Sequence, residues 1–207
     1  MMSIAVEADL AGVVRPGVEI ADPVVVVDRD ERMDVPVRDG AAAMRTAHEA
    51  ADITAAVRTM YKRVGIDPTK TRPSSEALWR RVRRGDELPR INSLVDIINW
   101  CSLESQLPFG LYDLAHVRGD VTLRLGRPGE EYAGIRKDIV HVEGRLTLAD
   151  ARGPFGNPTS DSARTMVTTA TTRALVVIFA PAAVGAAVVD RALHVTRERI
   201  ARYCICH

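Results

Sequence analysis

Residues 61–125 read YKRVGIDPTKTRPSSEALWRRVRRGDELPRINSLVDIINWCSLESQLPFGLYDLAHVRGDVTLRL, and they contain the most specific local signals in the chain. Basic residues followed by Gly65 predict the C-terminus of a helix, because glycine readily adopts the left-handed conformation that ends helices. Pro68 and Pro73 then predict a connector, since proline cannot continue a helix. The stretch therefore combines helices with proline-containing connectors.

Two helices are predicted after this connector. The first is short and basic, with Ser74 or Ser75 available to cap its N-terminus and Gly85 at its end. In the second, Asn92 or Ser93 can cap the N-terminus. This helix carries an apolar stripe with the i, i+3, i+4, i+7 spacing, formed by Leu94, Ile97, Ile98 and Cys101. Pro108 and Gly110 predict a turn at the end of this second helix.

The rest of the chain adds strands and two longer helices. The β-branched run Val24–Val27 predicts a short buried strand, and residues 40–64 predict a long amphipathic helix. Further strands are expected at 120–125, 145–149 and 174–180, with a C-terminal helix over 181–203. Helices and strands that alternate irregularly are typical of the α+β class.

Composition predicts one domain over 1–207, or one domain with a terminal extension. The chain has 207 residues, of which 46% are hydrophobic, enough for a substantial core. It has no long uncharged apolar run, so we expect no membrane partner. The N-terminal residues lack a basic leader followed by an apolar core, and the expected location is the cytoplasm.

The cysteines and histidines predict neither a disulfide framework nor a metal site. The chain has three cysteines, and two of them, Cys204 and Cys206, lie at the C-terminus beside His207. We expect this tail to be frayed, because a terminal segment rarely closes a four-ligand zinc site alone. We also found no glycine-rich phosphate loop or dinucleotide fingerprint, so no cofactor is predicted.

Basic residues are concentrated in residues 58–90. This segment contains ten basic and four acidic residues, whereas the whole chain has a net charge of only +1. Such a surface can bind phosphates. The alternative is a solvated helix face, because a short helix cannot present Arg80, Arg81, Arg83 and Arg84 in one direction.

Four segments resemble the B3/4 tRNA-editing domain of the bacterial phenylalanyl-tRNA synthetase beta subunit, and resemble its free-standing relatives more closely. They are GIDPTKTRPSSEAL (65–78), LPRINSLVDIINW (88–100), LPFGLYDL (107–114) and GDVTLRL (119–125). The resemblance extends over about residues 40–180, and it implies that these residues form the core of the domain. It implies a mixed or antiparallel barrel-like sheet with helices packed around it, and an N-terminal strand segment and a C-terminal helix packed on that core.

The resemblance also implies a pocket in which the ester of a mischarged aminoacyl-tRNA is hydrolysed by a positioned water. Asn99 matches an asparagine of that pocket, whereas Ile98 replaces a threonine and Gly110 replaces a histidine. The glutamate that reads a phenolic hydroxyl in the synthetase has no good match, although Asp161 and Ser162 lie in the corresponding loop. A tyrosine-specific pocket is therefore not implied.

Asp161 and Glu76 are the candidate general bases, because either carboxylate could orient a water if it were desolvated. The remaining candidates are the substrate-binding residues Asn99, Gly110, Ser75, Ser162 and Arg164, and the tRNA-binding residues Arg72, Arg80 and Arg84. Each carboxylate also has a simple structural interpretation, namely helix capping for Glu76 and turn formation for Asp161.

Two functions stay open at the level of sequence. The first is an aminoacyl-tRNA deacylase or RNA-binding B3/4 domain, whose partner is the aminoacyl acceptor end of tRNA. The second is a tRNA-independent binding protein or enzyme that takes a free amino-acid-like small molecule in the same pocket. Salt-sensitive binding of tRNA would separate the two.

Overall fold

The computed structural model describes residues 4–46, 51–135 and 139–205. The helices in this part of the chain are α1 (Asp34–Thr46), α2 (Ala51–Arg63), α3 (Ser74–Arg83), α4 (Ser93–Ser105) and α5 (Ala186–Tyr203). The strands are β1 (Ile4–Val6), β2 (Val14–Ala21), β3 (Phe109–Asp113), β4 (Val121–Leu125), β5 (Glu131–Tyr132), β6 (Val140–His141), β7 (Leu146–Asp150), β8 (Gly153–Gly156) and β9 (Ala174–Pro181).

These strands form three sheets with the orders β1-β4-β7-β8, β2-β9-β3 and β5-β6. Only the β1–β4 pair among them is parallel, and the other pairs are antiparallel. The α+β class and the mixed sheet are thus confirmed. Within the described residues the sheets are open and do not close into a barrel, because β2 and β3 each pair only with the central strand β9.

Strand β9 lies at the centre of the core. All eight of its residues are buried, which explains why ALVVIFAP reads as a continuous apolar run and not as an alternating strand. Helix α5 packs on β2 next to this strand, where a Cβ on Gly17 would lie 2.7 Å from Cγ1 of Val189. The absence of a side chain at Gly17 therefore permits this close helix-to-sheet contact.

The predicted strand at Val24–Val27 is wrong. These residues belong to no strand, and they pair with none of the described strands. The backbone N–H of Val24 donates to the carbonyl of Thr172, and that of Val25 donates to the carbonyl of Cys204. The hydrogen-bond partners of Val24 and Val25 therefore belong to a loop and to the end of α5, and no β-ladder forms.

The predicted turn at Gly110 is also wrong. Helix α4 ends at Ser105, its C-cap Gln106 adopts a left-handed φ of 58°, and β3 begins at Phe109. Gly110 is a buried residue of β3, and its partner in the adjacent strand is Val177. Local sequence could not reveal this, because the strand is stabilised by β9, which lies far away in the chain.

Residues 40–64 are helical in both of their described parts. The first of these parts belongs to α1, which begins earlier than predicted, at Asp34. Pro36 lies in the first turn of this helix, where a proline is tolerated because that N–H has no partner within the helix. Residues 47–50 lie outside the described residues.

Candidate functional site

The ring of Tyr112 fills the space beside two glycines. Gly110 and Tyr112 are two residues apart on β3, so their side-chain positions lie on the same face of the strand. A Cβ on Gly110, or on Gly156 of β8, would collide with the Tyr112 hydroxyl. Tyr112 is fully buried, and its ring packs edge-to-face on Phe155 with centroids 4.9 Å apart.

The carboxyl group of Asp161 lies next to the Tyr112 hydroxyl. Burial raises the pKa of Asp161 to about 7, although the Tyr112 hydroxyl and the backbone N–H of Leu111 oppose this shift. Burial, followed by the charge of Asp161, raises the pKa of Tyr112 well above its usual value. Oδ1 of Asp161 and the Tyr112 hydroxyl are both enclosed, and neither has a partner with full hydrogen-bond geometry among the described residues. Unsatisfied buried polar groups of this kind are rare and concentrate at functional sites.

A hydrogen-bonded loop leads to Asp161. Oδ1 of Asn157 accepts from the backbone N–H groups of Thr159 and Ser160 at 2.8 and 2.9 Å. Nδ2 of Asn157 donates to the Tyr132 hydroxyl, which in turn donates to the carbonyl of Ser160. The side chain of Asn157 thus shapes the residues that come just before Asp161.

A cleft of about 230 Å³ lies between this loop and the connector that precedes α3. Its polar lining includes Lys70, Thr71, Arg72, Arg145, Asn157 and Thr159. The side chains of Lys70 and Arg145 form no ion pair with another described residue. Cations beside hydroxyl and amide groups are well suited to bind a phosphate.

Glu76 is the centre of an ion-pair cluster at the start of α3. Its carboxylate accepts from Nε and Nη2 of Arg58 at 2.8 and 2.7 Å and from Nε of Arg80 at 2.7 Å, and Arg72 lies 3.8 Å away. Hydrogen bonds from Arg58, together with those from Arg80, lower the pKa of Glu76. This buried carboxylate is held in its ionised form, which is the arrangement of a structural ion pair.

The predicted cap of α3 differs from the observed one. Pro73 occupies the N-cap position and supplies no side-chain acceptor, so neither Ser74 nor Ser75 caps the helix. Ser75 is buried beside Glu76. By contrast, Asn92 caps α4 as predicted, since its side chain accepts from the backbone N–H of Val95 at 2.9 Å.

Ser162 and Arg164 follow Asp161 directly. The Ser162 hydroxyl accepts from the backbone N–H of Arg164 at 3.0 Å and so caps a short turn. The Arg164 guanidinium pairs with the buried carboxylate of Asp150 at 2.9 and 3.1 Å. Both side chains therefore stabilise the segment that positions Asp161.

Two predicted residues lie apart from the Asp161 environment. Asn99 is half-buried on α4, and its side chain forms no hydrogen bond with another described residue. Arg84 is exposed at the end of α3 and lies 3.4 Å from Asp86. Neither lines the cleft, and neither do Gly110 and Asp161. The structure thus groups Asp161 with Gly110, Ser162 and Arg164 but does not bring Asn99 into a cavity with them.

Sequence reasoning missed the contributions of Tyr112, Tyr132 and Asn157. For Tyr112, only the two-residue spacing from Gly110, which places both residues on one face of a strand, would have indicated a contact between them. Tyr132 and Asn157 carried no local signal. Their roles depend on hydrogen bonds between β5 and the loop after β8.

The C-terminal tail is not frayed at Cys204. This residue is buried, and its thiol lies 3.4 Å from the Ser93 hydroxyl. Cys206 and His207 lie outside the described residues. The described residues contain no group of three or more histidine, cysteine, aspartate or glutamate side chains that could hold a metal ion. None of the described helices is both long and apolar enough to cross a membrane.

The sequence is similar to segments of phenylalanine–tRNA ligase beta subunits. The beta subunit of phenylalanine–tRNA ligase from Paramagnetospirillum magneticum is 38% identical over 65 residues, which are 31% of this chain and 8% of that protein. The corresponding subunit from Xanthomonas campestris is 34% identical over 93 residues, which are 44% of this chain and 11% of that protein. The chain thus spans about a tenth of the length of these relatives.

The fold is also similar to that of a solved structure. An N-terminal fragment of the phenylalanyl-tRNA synthetase beta subunit from Pyrococcus horikoshii matches with a TM-score of 0.50 and 14% identity. The match covers 98% of this chain and 49% of that one, and at this identity it establishes the fold alone. The family model for the B3/4 domain matches residues 56–203, which is more than half of the chain. The chain therefore belongs to the B3/4 domain family.

Proposed function

We propose that this B3/4 domain hydrolyses the ester of an aminoacyl-tRNA in the cytoplasm, with Asp161 as the general base. The observation that carries the proposal is the Asp161 carboxyl beside the Tyr112 hydroxyl, since its Oδ1 is enclosed and burial raises its pKa to about 7. A general base works best when its pKa lies near the operating pH, because it is then both ionised and basic enough. An ordinary surface aspartate is a much weaker base.

In the proposed reaction, ionised Asp161 accepts a proton from a water molecule as that water attacks the ester carbonyl carbon. The bond between this carbon and the ribose oxygen then breaks, and protonated Asp161 returns the proton to that oxygen. The Tyr112 hydroxyl lies beside the carboxyl group and opposes the rise of its pKa, so it favours the ionised form of Asp161 that accepts the proton. Ester hydrolysis needs little beyond such positioning, so a catalytic triad is not required.

The cleft supports tRNA as the carrier of the ester. Lys70, Arg72 and Arg145 face the cleft beside the loop that leads to Asp161. A phosphate bound there would place an attached aminoacyl group near that loop. The names of the relatives also refer to tRNA, since they are beta subunits of phenylalanine–tRNA ligase.

The test is a hydrolysis assay on a panel of mischarged tRNAs. We expect the wild-type chain to release at least one amino acid and Asp161→Asn to lose about a hundredfold or more of that rate. Asp120→Asn, which removes an exposed carboxylate, is the matched control and keeps full activity. Asn99→Ala tests whether the family asparagine contributes to substrate binding, which would appear as a raised KM. Failure of the wild-type chain on every tRNA, beside an active synthetase editing domain, would overturn the proposal.

Binding of tRNA without hydrolysis is the second candidate, and it is favoured by the position of Tyr112. Its ring fills the space between Gly110 and Gly156, so an aminoacyl side chain would have to displace it. Salt-dependent tRNA binding without release of an amino acid would support this function. Binding of free amino acids without any tRNA binding would instead support the tRNA-independent function.

A further inference from the structure

The exposed side of α3 carries an aromatic ring surrounded by arginines. Trp79, Arg80, Arg83 and Arg84 bound an open hollow of about 310 Å³. The Arg83 guanidinium carbon lies 4.8 Å from the centroid of the Trp79 ring, within the range of a cation–π contact. Trp79 itself is half-buried, so part of the indole faces the hollow.

The arginines of this surface differ in how far they are neutralised. Arg80 donates to Glu76, and Arg84 lies 3.4 Å from Asp86. Arg83 is exposed and forms no ion pair with another described residue. Its contact with the Trp79 ring does not neutralise its positive charge. The indole N–H of Trp79 is buried without a hydrogen-bond acceptor among the described residues, so the hollow receives the flat ring and not the N–H. A flat aromatic group combined with an unbalanced guanidinium matches a nucleobase and its phosphate.

We propose that the Trp79–Arg83 pair is a stacking platform for one base of an unpaired RNA strand. The base packs on the indole and guanidinium planes, and the guanidinium of Arg83 meets a neighbouring phosphate. The choice of RNA as the partner rests on the proposed function, but the platform lies outside the cleft and takes no part in hydrolysis.

The cleft and the platform lie towards opposite ends of α3. Arg72 lines the cleft and lies 3.8 Å from Glu76 in the first turn of the helix. Arg83 lies at the other end of the helix, about 10 Å further along at 1.5 Å per residue. If the terminus of an RNA strand lies in the cleft, a nucleotide close to that terminus would therefore lie over Trp79 and Arg83.

The experiment uses fluorescence from Trp79. The chain has two tryptophans, and Trp100→Phe leaves Trp79 as the only one. The probes are an oligoadenylate and an abasic ribose-phosphate oligomer of equal charge. We expect the oligoadenylate to quench the fluorescence and the abasic oligomer to bind without quenching. Labelled oligoadenylate binding to the chain with Trp100 intact gives an independent affinity.

Three variants complete the test. Trp79→Leu keeps an apolar side chain and should weaken oligoadenylate binding about tenfold, while binding of the abasic oligomer stays unchanged. Arg83→Gln should weaken both and reduce the slope of log K against log salt by about 0.7. Arg152→Gln, which removes an exposed arginine from the β7–β8 turn, should change neither.

Equal quenching by the two oligomers would overturn the proposed platform. An equal loss of affinity for the two oligomers in Trp79→Leu would overturn it as well. So would an absence of oligoadenylate binding at low salt. If the chain hydrolyses an aminoacyl-tRNA while these results fail, the proposed function stands and the platform does not. If base-dependent quenching appears without hydrolysis, the platform stands alone.

Discussion

The hydroxyl group of Tyr112 faces the carboxyl group of Asp161 in the interior of the domain, across a distance of 49 residues in the chain. Gly110 and Gly156 make this arrangement possible, because any side chain at either position would collide with the tyrosine hydroxyl. Both polar groups are enclosed without a full hydrogen bond among the described residues. The two unsatisfied groups therefore lower the free energy of unfolding of the domain.

Asp161→Asn should stabilise the domain at neutral pH. The pKa of Asp161 rises from 3.8 to about 7 on folding, so the folded state binds more protons than the unfolded state between these values. Stability then falls as the pH rises from about 4 to about 7, and the asparagine variant lacks this decrease. At about 1.4 kcal/mol per pKa unit the gain above pH 7 has an upper limit of about 4 kcal/mol. Chemical unfolding of both proteins at pH 4 and pH 8 measures it, and an equal difference at the two pH values would contradict the assignment.

Tyr112→Phe should leave the fold intact while altering activity. Removing an enclosed hydroxyl that lacks a partner is expected to be neutral or to stabilise the domain by about 1 kcal/mol. Because the hydroxyl holds the pKa of Asp161 down, its loss should raise that pKa further. The acid limb of the pH–rate profile should then move to higher pH. An unmoved limb with unchanged rates would show that the hydroxyl does not act on Asp161.

Gly110→Ala should destabilise the domain by about 1–3 kcal/mol, because the added methyl group collides with the Tyr112 ring. In Gly110→Ala/Tyr112→Leu the ring is absent, so the loss should be smaller than the sum of the two single losses. Gly185→Ala is the matched control, since a Cβ there meets no atom within 4 Å. Thermal unfolding of the four variants and the wild type gives the coupling free energy, and strict additivity would disprove the contact.

Glu76→Gln should destabilise the domain by about 2 kcal/mol, with partial solvent exposure of its arginine partners limiting the loss. The pKa of Glu76 is lowered below 4.5, so its contribution is present above that pH and is lost as the pH falls. Glu87→Gln removes an exposed carboxylate and serves as the control. If Glu76→Gln abolished hydrolysis at unchanged stability, Glu76 would be a catalytic base and not a structural ion pair.

The local sequence was sufficient for much of α4 and β4. The Asn92 cap and the apolar stripe from Leu94 depend on interactions within one or two helical turns, so they can be read directly from residue spacing. The alternation over 120–125 likewise predicted β4 at Val121–Leu125. The family motifs of residues 65–125 were recognisable for the same reason, since each is a continuous segment.

The candidate site could be predicted only in part. Asp161 was identified as a candidate base from its loop, but nothing near it in the sequence indicated that Tyr112 faces it or that its Oδ1 is enclosed. The sequence made Glu76 as good a candidate base as Asp161. In the structure, Glu76 differs because its carboxylate pairs with three arginines, one of which, Arg58, lies on another helix. Burial and charge pairing are properties of packed neighbours, so they could not be read from spacing.

The sequence by itself thus determined the family, the α+β class and the helices whose caps and apolar stripes are local. The tertiary structure alone decided that Gly110 lies within a strand, that Tyr112 fills the space beside it, and that Asp161 and not Glu76 has a raised pKa. The physical reason is that helix and strand periodicity arises from neighbouring residues, whereas desolvation and ion pairing arise from groups that only folding brings together.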